Sequence, residues 1–428
     1  MAIISDQYAV YLPAVNTLYA EAIAKPLPEN RPFPCSFTLD DLYFWKKDNK
    51  LWYHPYFLHS VGSYKVGAIP DNAVTRRGKT DGILVGDSGG FQIGKGTLNG
   101  LKTLTAGMTG DEACAAWREA YDVRLWILNW LETHTNYAMT IDMPLWAKGE
   151  TSSPFYNCTE DQLIQLTVEN LQFIDSHRQN RTQWLNVIQG NNMAAIKKWW
   201  DAVKWFKGGG FALSSSAGKM SGLGAVIEPL LMMRDEQAFE DGRNWIHMLG
   251  VSTAPWAIMF TAIQKALRNT ANAKLRISYD SSSPLQDAGK RELLVDLPNF
   301  GKDTKDWGNK KIRFKHSRQH VGSSEPLPVK SPIADKLNWG FLNVRDDKGI
   351  YTPRQVDTVS LALATNHNIW AFLQTFKLAN DFVFNSNRSQ VPDVYKELVD
   401  FIQHVFTVEN WADALLKEQL LISQFKGK

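Results

Sequence analysis

The chain has 428 residues, 44% of them hydrophobic and 21% charged, with a formal net charge of +3 and three cysteines. These values are ordinary for a globular protein with a sizeable core, and the mild positive balance does not by itself imply a nucleic-acid partner. Cys35, Cys114 and Cys158 lie far apart and form no Cys-x-x-Cys pattern, which excludes a disulfide framework and a cysteine-rich metal site and suits a reducing, cytoplasmic setting.

The N-terminal residues 1–13 lack a basic region followed by an apolar run, so no signal peptide is expected. No apolar run reaches the roughly 18 residues of a membrane span. The first 80 residues are rich in proline and aromatics over 26–34 and 43–56. They read as an N-terminal capping segment of short strands and loops (1–80). A regular theme follows, in which short apolar runs each stop at a polar or glycine-rich turn. Segment 82–86 stops at Asp87, 137–141 at Asp142, 184–188 at Gln189, 211–213 at Ser214, 246–249 at Gly250 and 275–279 at Asp280. Such runs predict buried parallel strands.

The intervening segments predict helices. One opens on a Thr159-x-x-Gln162 capping box, a second runs over 193–207 and a third over 256–267. Alternating strands and helices predict an α/β chain with a barrel core over 81–290 that holds the active site. Residues 291–330 read as a basic insertion. Residues 331–428 read as barrel closure and C-terminal helices over 355–384, 392–406 and 411–425.

In a parallel barrel the strand C-termini build the active site. The six stops therefore describe a polar ring with three carboxylates, although Asp, Ser and Gly are also ordinary turn residues. Asp87-Ser88-Gly89-Gly90-Phe91-Gln92 is the sharpest segment. Its glycines let backbone approach a ligand. Phe91 either stacks on a flat ring whose edge Gln92 bonds, or belongs to the core.

That hexapeptide resembles the D-S-G-G-[FY]-Q signature of the tRNA-guanine transglycosylases, which are TIM-barrel enzymes. Further similarities follow in family order: Asp142-Met143-Pro144, Gln189-Gly190, segment 211–217, Leu249-Gly250-Val251, Asp280-x-x-x-Pro284 and His367-Asn368-Ile369. The resemblance spans roughly 80–375. It implies a TIM (β/α)8 barrel with insertions and a helical C-terminal extension. It also implies a pentosyltransferase in which Asp280 attacks the sugar anomeric carbon and Asp87 takes the proton from the incoming base. Asp142 would accept the purine-like N–H groups and Gln189 would meet the carbonyl edge. Backbone groups near Ser215 and Ser216 would lie by the 7-substituent, Phe91 and Leu249 would sandwich the ring, and Ser88, Gln92, Ser214 and Gly250 would complete the base site.

Three departures separate the chain from that family. No cysteine follows Cys158, so no structural zinc is expected and His367 reads as a packing or capping residue. Leu285-Gln286 stands where the family has Thr-Arg against RNA. The last hundred residues read as helices rather than a β-rich RNA-binding domain. The departures resemble the DNA-acting, phage-type DpdA branch, implying insertion of a preQ0-like 7-deazaguanine into DNA in a host cytoplasm. tRNA is the alternative polymer, a non-catalytic partner subunit or a plain glycosidase the alternative class, and a homodimer is left open. No cofactor is expected. Lys302, Lys305, Lys310, Lys311, Arg313, Lys315 and Arg318 are the candidate contacts to a nucleic-acid backbone, or else a solvated charged loop. Arg76, Arg77 and Lys79 are expected to add to that patch.

Overall fold

The computed structural model describes residues 6–214, 222–344 and 357–425. Among these, eight strands form one parallel sheet: β1 Val10–Pro13, β2 Tyr56–Ser60, β3 Ile83–Asp87, β4 Tyr137–Met139, β5 Gln183–Ile188, β6 Gly210–Leu213, β7 Trp245–Met248 and β8 Arg276–Ser281. The order is β1-β8-β7-β6-β5-β4-β3-β2. A parallel bridge from Ala14 to Leu58, with Val15 N–H donating to Leu58 O at 2.9 Å, draws the two edges together. The chain is thus a nearly closed α/β barrel of the TIM type with a helical C-terminal extension.

Parallel neighbours require crossovers, and α-helices supply all of them except the one from β2 to β3. They are α1 Thr17–Ala24, α2 Gly90–Lys95, α3 Gly110–Glu119, α4 Tyr121–His134, α5 Glu160–His177, α6 Met193–Val203, α7 Gly224–Asp235 and α8 Ala254–Thr270. After β8 come α9 Ser283–Gly289, an antiparallel hairpin of β9 Leu293–Asp296 and β10 Lys310–Arg313, and α10 Trp339–Leu342. Helix α11 Thr358–Asn385 then packs against α1, α8 and α9 and completes the ring, and α12 Asp393–Val405, α13 Trp411–Lys417 and α14 Gln419–Gln424 follow. The α5 capping box forms as its sequence dictates: Thr159 N–H donates to Gln162 Oε1 at 2.8 Å and Gln162 N–H to Thr159 Oγ1 at 3.2 Å.

The first 80 residues are not a cap. They contribute β1 and β2, two of the eight barrel strands. Each is short and fully or mostly buried, so neither carries the alternation that marks a half-exposed strand. Helix α6 stops at Val203, well before Gly208, and the expected last helix divides into α13 and α14.

Two apolar layers hold the barrel. Large side chains such as Trp117, Trp199 and Phe260 fill the space between strands and helices. Inside, Val10, Leu12, Leu58, Val85, Leu185 and Val187 form a second cluster. Trp245 plugs the N-terminal end of the barrel, its ring 4.2 Å from that of Tyr137 and 6.2 Å from that of Tyr56. Among the described residues no helix is long and apolar enough to cross a membrane.

Candidate active site

The site lies where the strands end. Asp87 is the last residue of β3, paired across the sheet with Ser60, and Asp280 sits near the end of β8, paired with Leu12. Asp142 lies three residues beyond β4. Burial raises the pKa of Asp87 despite a hydrogen bond from Gly89 N–H at 3.0 Å, and the charge of Asp280 pushes it the same way. Asp142 is more strongly affected. Burial, with the charge of Asp87 added, lifts it to about 7. Asp87 and Asp142 are thus both held above the usual carboxylate range, and Asp280 shares their end of the barrel.

Gly89 makes this packing geometrically feasible. Its φ is 86°, a left-handed conformation, and a Cβ there would come within 2.8 Å of Gly62 Cα. The close approach lets the turn after β3 lie flat against the turn after β2. Gly90 opens α2 beside Asp142, whose Oδ1 a Cβ would meet at 3.3 Å. Phe91 follows and is 61% exposed, with its ring 5.7 Å from that of Trp146. It is therefore not a core residue; Phe91 and Trp146 form an aromatic rim at the mouth. Leu249 is partly buried after β7, and Gly250, just beyond it, is exposed.

Several expected base contacts are already engaged within the protein. Ser88 is 1% exposed and its hydroxyl donates to Thr140 O at 3.0 Å, so it ties the ends of β3 and β4 together instead of facing a ligand. Gln189 is 2% exposed. Its Nε2 donates to Asp142 Oδ2 and, at 3.2 Å, to Met143 O, and its Oε1 accepts from Leu145 N–H at 2.9 Å. It positions Asp142 rather than offering a free amide. Gln92 Oε1 is buried next to Gly62 without a hydrogen-bond partner among the described residues. Ser214 lies at the end of β6, with its N–H donating to Ile188 O at 3.0 Å. Ser215 and Ser216 lie outside the described residues.

Asp280 is 8% exposed. Its Oδ1 accepts from Gly250 N–H at 2.8 Å, and His247 Nε2 approaches the same oxygen at 3.3 Å. Behind His247, Nδ1 lies 2.9 Å from Ser278 Oγ, which also accepts from Trp245 Nε1–H at 2.8 Å. His247 and Ser278 were not among the sequence candidates, although one signal was available. Each lies two residues before a strand-end site residue, and that spacing puts both on the barrel's inner face.

His367 is buried on α11, with Nδ1 2.8 Å from Ser331 Oγ and Nε2 2.8 Å from Val295 O. Burial lowers its pKa to about 4, so it packs as a neutral ring. Asn368 beside it accepts from Val295 N–H at 2.9 Å and donates to Leu293 O at 2.9 Å. The pair clamps β9 onto α11. Among the described residues no group of three or more His, Cys, Asp or Glu side chains could hold a metal ion.

The basic insertion is the β9–β10 hairpin, packed on α9 and α11. Lys311 is committed to the buried Asp287 on α9 at 3.0 Å, and Lys315 to Glu325. Lys302, Lys305, Lys310, Arg313 and Arg318 are exposed and hold no ion pair among the described residues. Arg76, Arg77 and Lys79 do not join them. They precede β3 and so lie at the opposite end of the barrel. Arg76 pairs with Asp71, Arg77 donates to the carbonyls of Gly82 and His134, and Lys79 to those of Glu132 and Arg181.

Fold and site together define an α/β barrel whose mouth carries three carboxylates and an exposed aromatic rim. No protein-family model matches the chain, and no curated protein matches it.

Proposed function

We propose that this chain is a base-exchange pentosyltransferase that replaces guanine in DNA with a preQ0-like 7-deazaguanine through a covalent glycosyl-aspartate. The observation that carries the reading is the unequal surroundings of the carboxylates at one barrel mouth. Asp280 is anchored through Oδ1 alone, with no protein hydrogen bond recorded at Oδ2 among the described residues, while Asp87 is held toward its protonated form.

In this reading Asp280 Oδ2 attacks C1′ of the target nucleotide, and the C1′–N bond to guanine breaks with its electron pair on the base. Asp87 gives that nitrogen a proton. The incoming 7-deazaguanine then loses a proton to Asp87 as its nitrogen attacks C1′, and the C1′–Oδ2 bond breaks to restore Asp280. Ionised Asp142, held by Gln189, accepts the N–H groups of the base, and Phe91 and Leu249 cover its faces. A stacked guanine must leave the helix to reach this mouth, and the Phe91–Trp146 rim supports such extrusion. DNA is favoured over tRNA by Leu285-Gln286 after the nucleophile and by the helical α12–α14 region.

Labelled guanine incubated with the protein and either DNA or tRNA tests the reading. Label is expected in DNA. Label in tRNA alone would transfer the activity to tRNA, and label in neither favours a docking subunit. Asp280→Asn is expected to abolish any protein–nucleic acid adduct on a denaturing gel, and an undiminished adduct removes Asp280 from the nucleophile role.

A further inference from the structure

We propose that His247 is a positioning residue for Asp280: with a ring proton on Nε2 it holds Oδ1 and leaves Oδ2 as the attacking oxygen. The inference rests on the reading of Asp280 as nucleophile, but its geometry stands apart from that reading.

Trp245, His247 and Ser278 share the inner face of β7 and β8, inside an otherwise apolar barrel. His247 and Ser278 are fully buried. The indole N–H of Trp245 can only donate, so it fixes one lone pair of Ser278 Oγ. The hydroxyl proton of Ser278 is then free to be given to His247 Nδ1 at 2.9 Å. That leaves the ring proton on Nε2, which makes no hydrogen bond among the described residues and lies 3.3 Å from Asp280 Oδ1. The other tautomer would aim a bare nitrogen lone pair at a carboxylate oxygen in a buried site, where an unfavourable contact is not screened.

The consequence is an asymmetric carboxylate. Oδ1 accepts from the Gly250 N–H at 2.8 Å and lies 3.3 Å from His247 Nε2, so both N–H groups would act on this one oxygen. When Oδ2 bonds to the sugar, Oδ1 becomes the ester carbonyl. When that bond breaks again, negative charge returns to the carboxylate, and the same two donors stabilise it as leaving group. His247 therefore acts on the second half of the exchange more than the first. It lies on the barrel side of Asp280, not on the base side.

Two measurements test this. Nitrogen-15 NMR of labelled histidine side chains, with His247 assigned by its loss in His247→Gln, is expected to show the Nε2–H tautomer in the wild type and a mixture in Ser278→Ala. This arm needs no activity; the Nδ1–H tautomer in the wild type would overturn the proposal. In base exchange, His247→Phe is expected to slow turnover roughly ten- to a hundred-fold, to accumulate the covalent adduct and to leave KM for the free base unchanged. His247→Gln, whose amide N–H reaches the same place, is expected to recover much of the loss. Turnover of His247→Phe within two-fold of wild type, or equal losses in both variants with a raised KM, would sink the idea. If His247→Phe does not fold, Ser278→Ala, which keeps the ring, serves as the second variant, with a smaller loss expected. A wild type that shows the Nε2–H tautomer but exchanges no base defeats the nucleophile reading, not the contact.

Discussion

Asp142 is where pH should enter the chemistry. Its pKa, lifted to about 7 by burial and the neighbouring charge of Asp87, lies well above that of an ordinary carboxylate. Only the ionised form accepts the N–H groups of a guanine edge. Affinity for the free base should therefore be fully present above pH 7 and fall about ten-fold per unit below it. Calorimetric titration with guanine across pH 5 to 8 measures this, and Asp142→Asn should flatten the profile. The two aspartates at strand ends were readable because an apolar run that halts on an acid marks the rim of a barrel. His247 emerges only by counting back two residues from Leu249, because a continuous run such as 245–249 does not by itself say which residues face inward. Ser88 was misread for another reason: a motif marks a backbone turn as a whole, and here the hydroxyl secures β4 while its neighbours face the site.

The hairpin of β9 and β10 joins two roles that the sequence had merged into one basic stretch. Asp287, fully buried on α9, accepts from Arg291 at 2.6 Å and Lys311 at 3.0 Å. Both cations are partly exposed, so Asp287→Ala is expected to cost about 1–3 kcal/mol, read as a lower denaturant midpoint. Lys310 and Arg313 are exposed and hold no ion pair among the described residues. Lys310→Ala and Arg313→Ala should leave the melting temperature unchanged, weaken duplex binding and each reduce the salt-dependence slope by about 0.9. Lys311→Ala should instead lower stability. A change of stability in the first pair without a change of slope would assign the hairpin a purely structural role. Charge was legible from residue types alone, whereas its commitment to Asp287 depends on a contact between elements 24 residues apart.

At the scale of the molecule, the ring of helices closes only with α11. Asn366 on that helix accepts from Trp52 Nε1–H at 2.9 Å and donates to Tyr19 OH at 2.9 Å, so the last barrel helix is bonded into the first 80 residues. A chain ending at residue 344 should therefore lack a cooperative thermal transition, and circular dichroism of that fragment checks it; a sharp melt would show that the strands stand without α11. The parallel core was legible from its apolar runs. The first two strands were not, because four- and five-residue buried segments among prolines and aromatics leave no periodic trace. Their place in the barrel brings its beginning and end together: Tyr8 donates to Asp381 Oδ1 at 2.7 Å and accepts from Asn385 at 2.7 Å. The barrel is thus a ring in space with its seam already sutured. A nick in an exposed loop far from the mouth should therefore leave the ring assembled, because side-chain contacts and not chain continuity hold the seam. The carboxylates would keep their relative places, because these depend on which strands are neighbours and not on which is synthesised first.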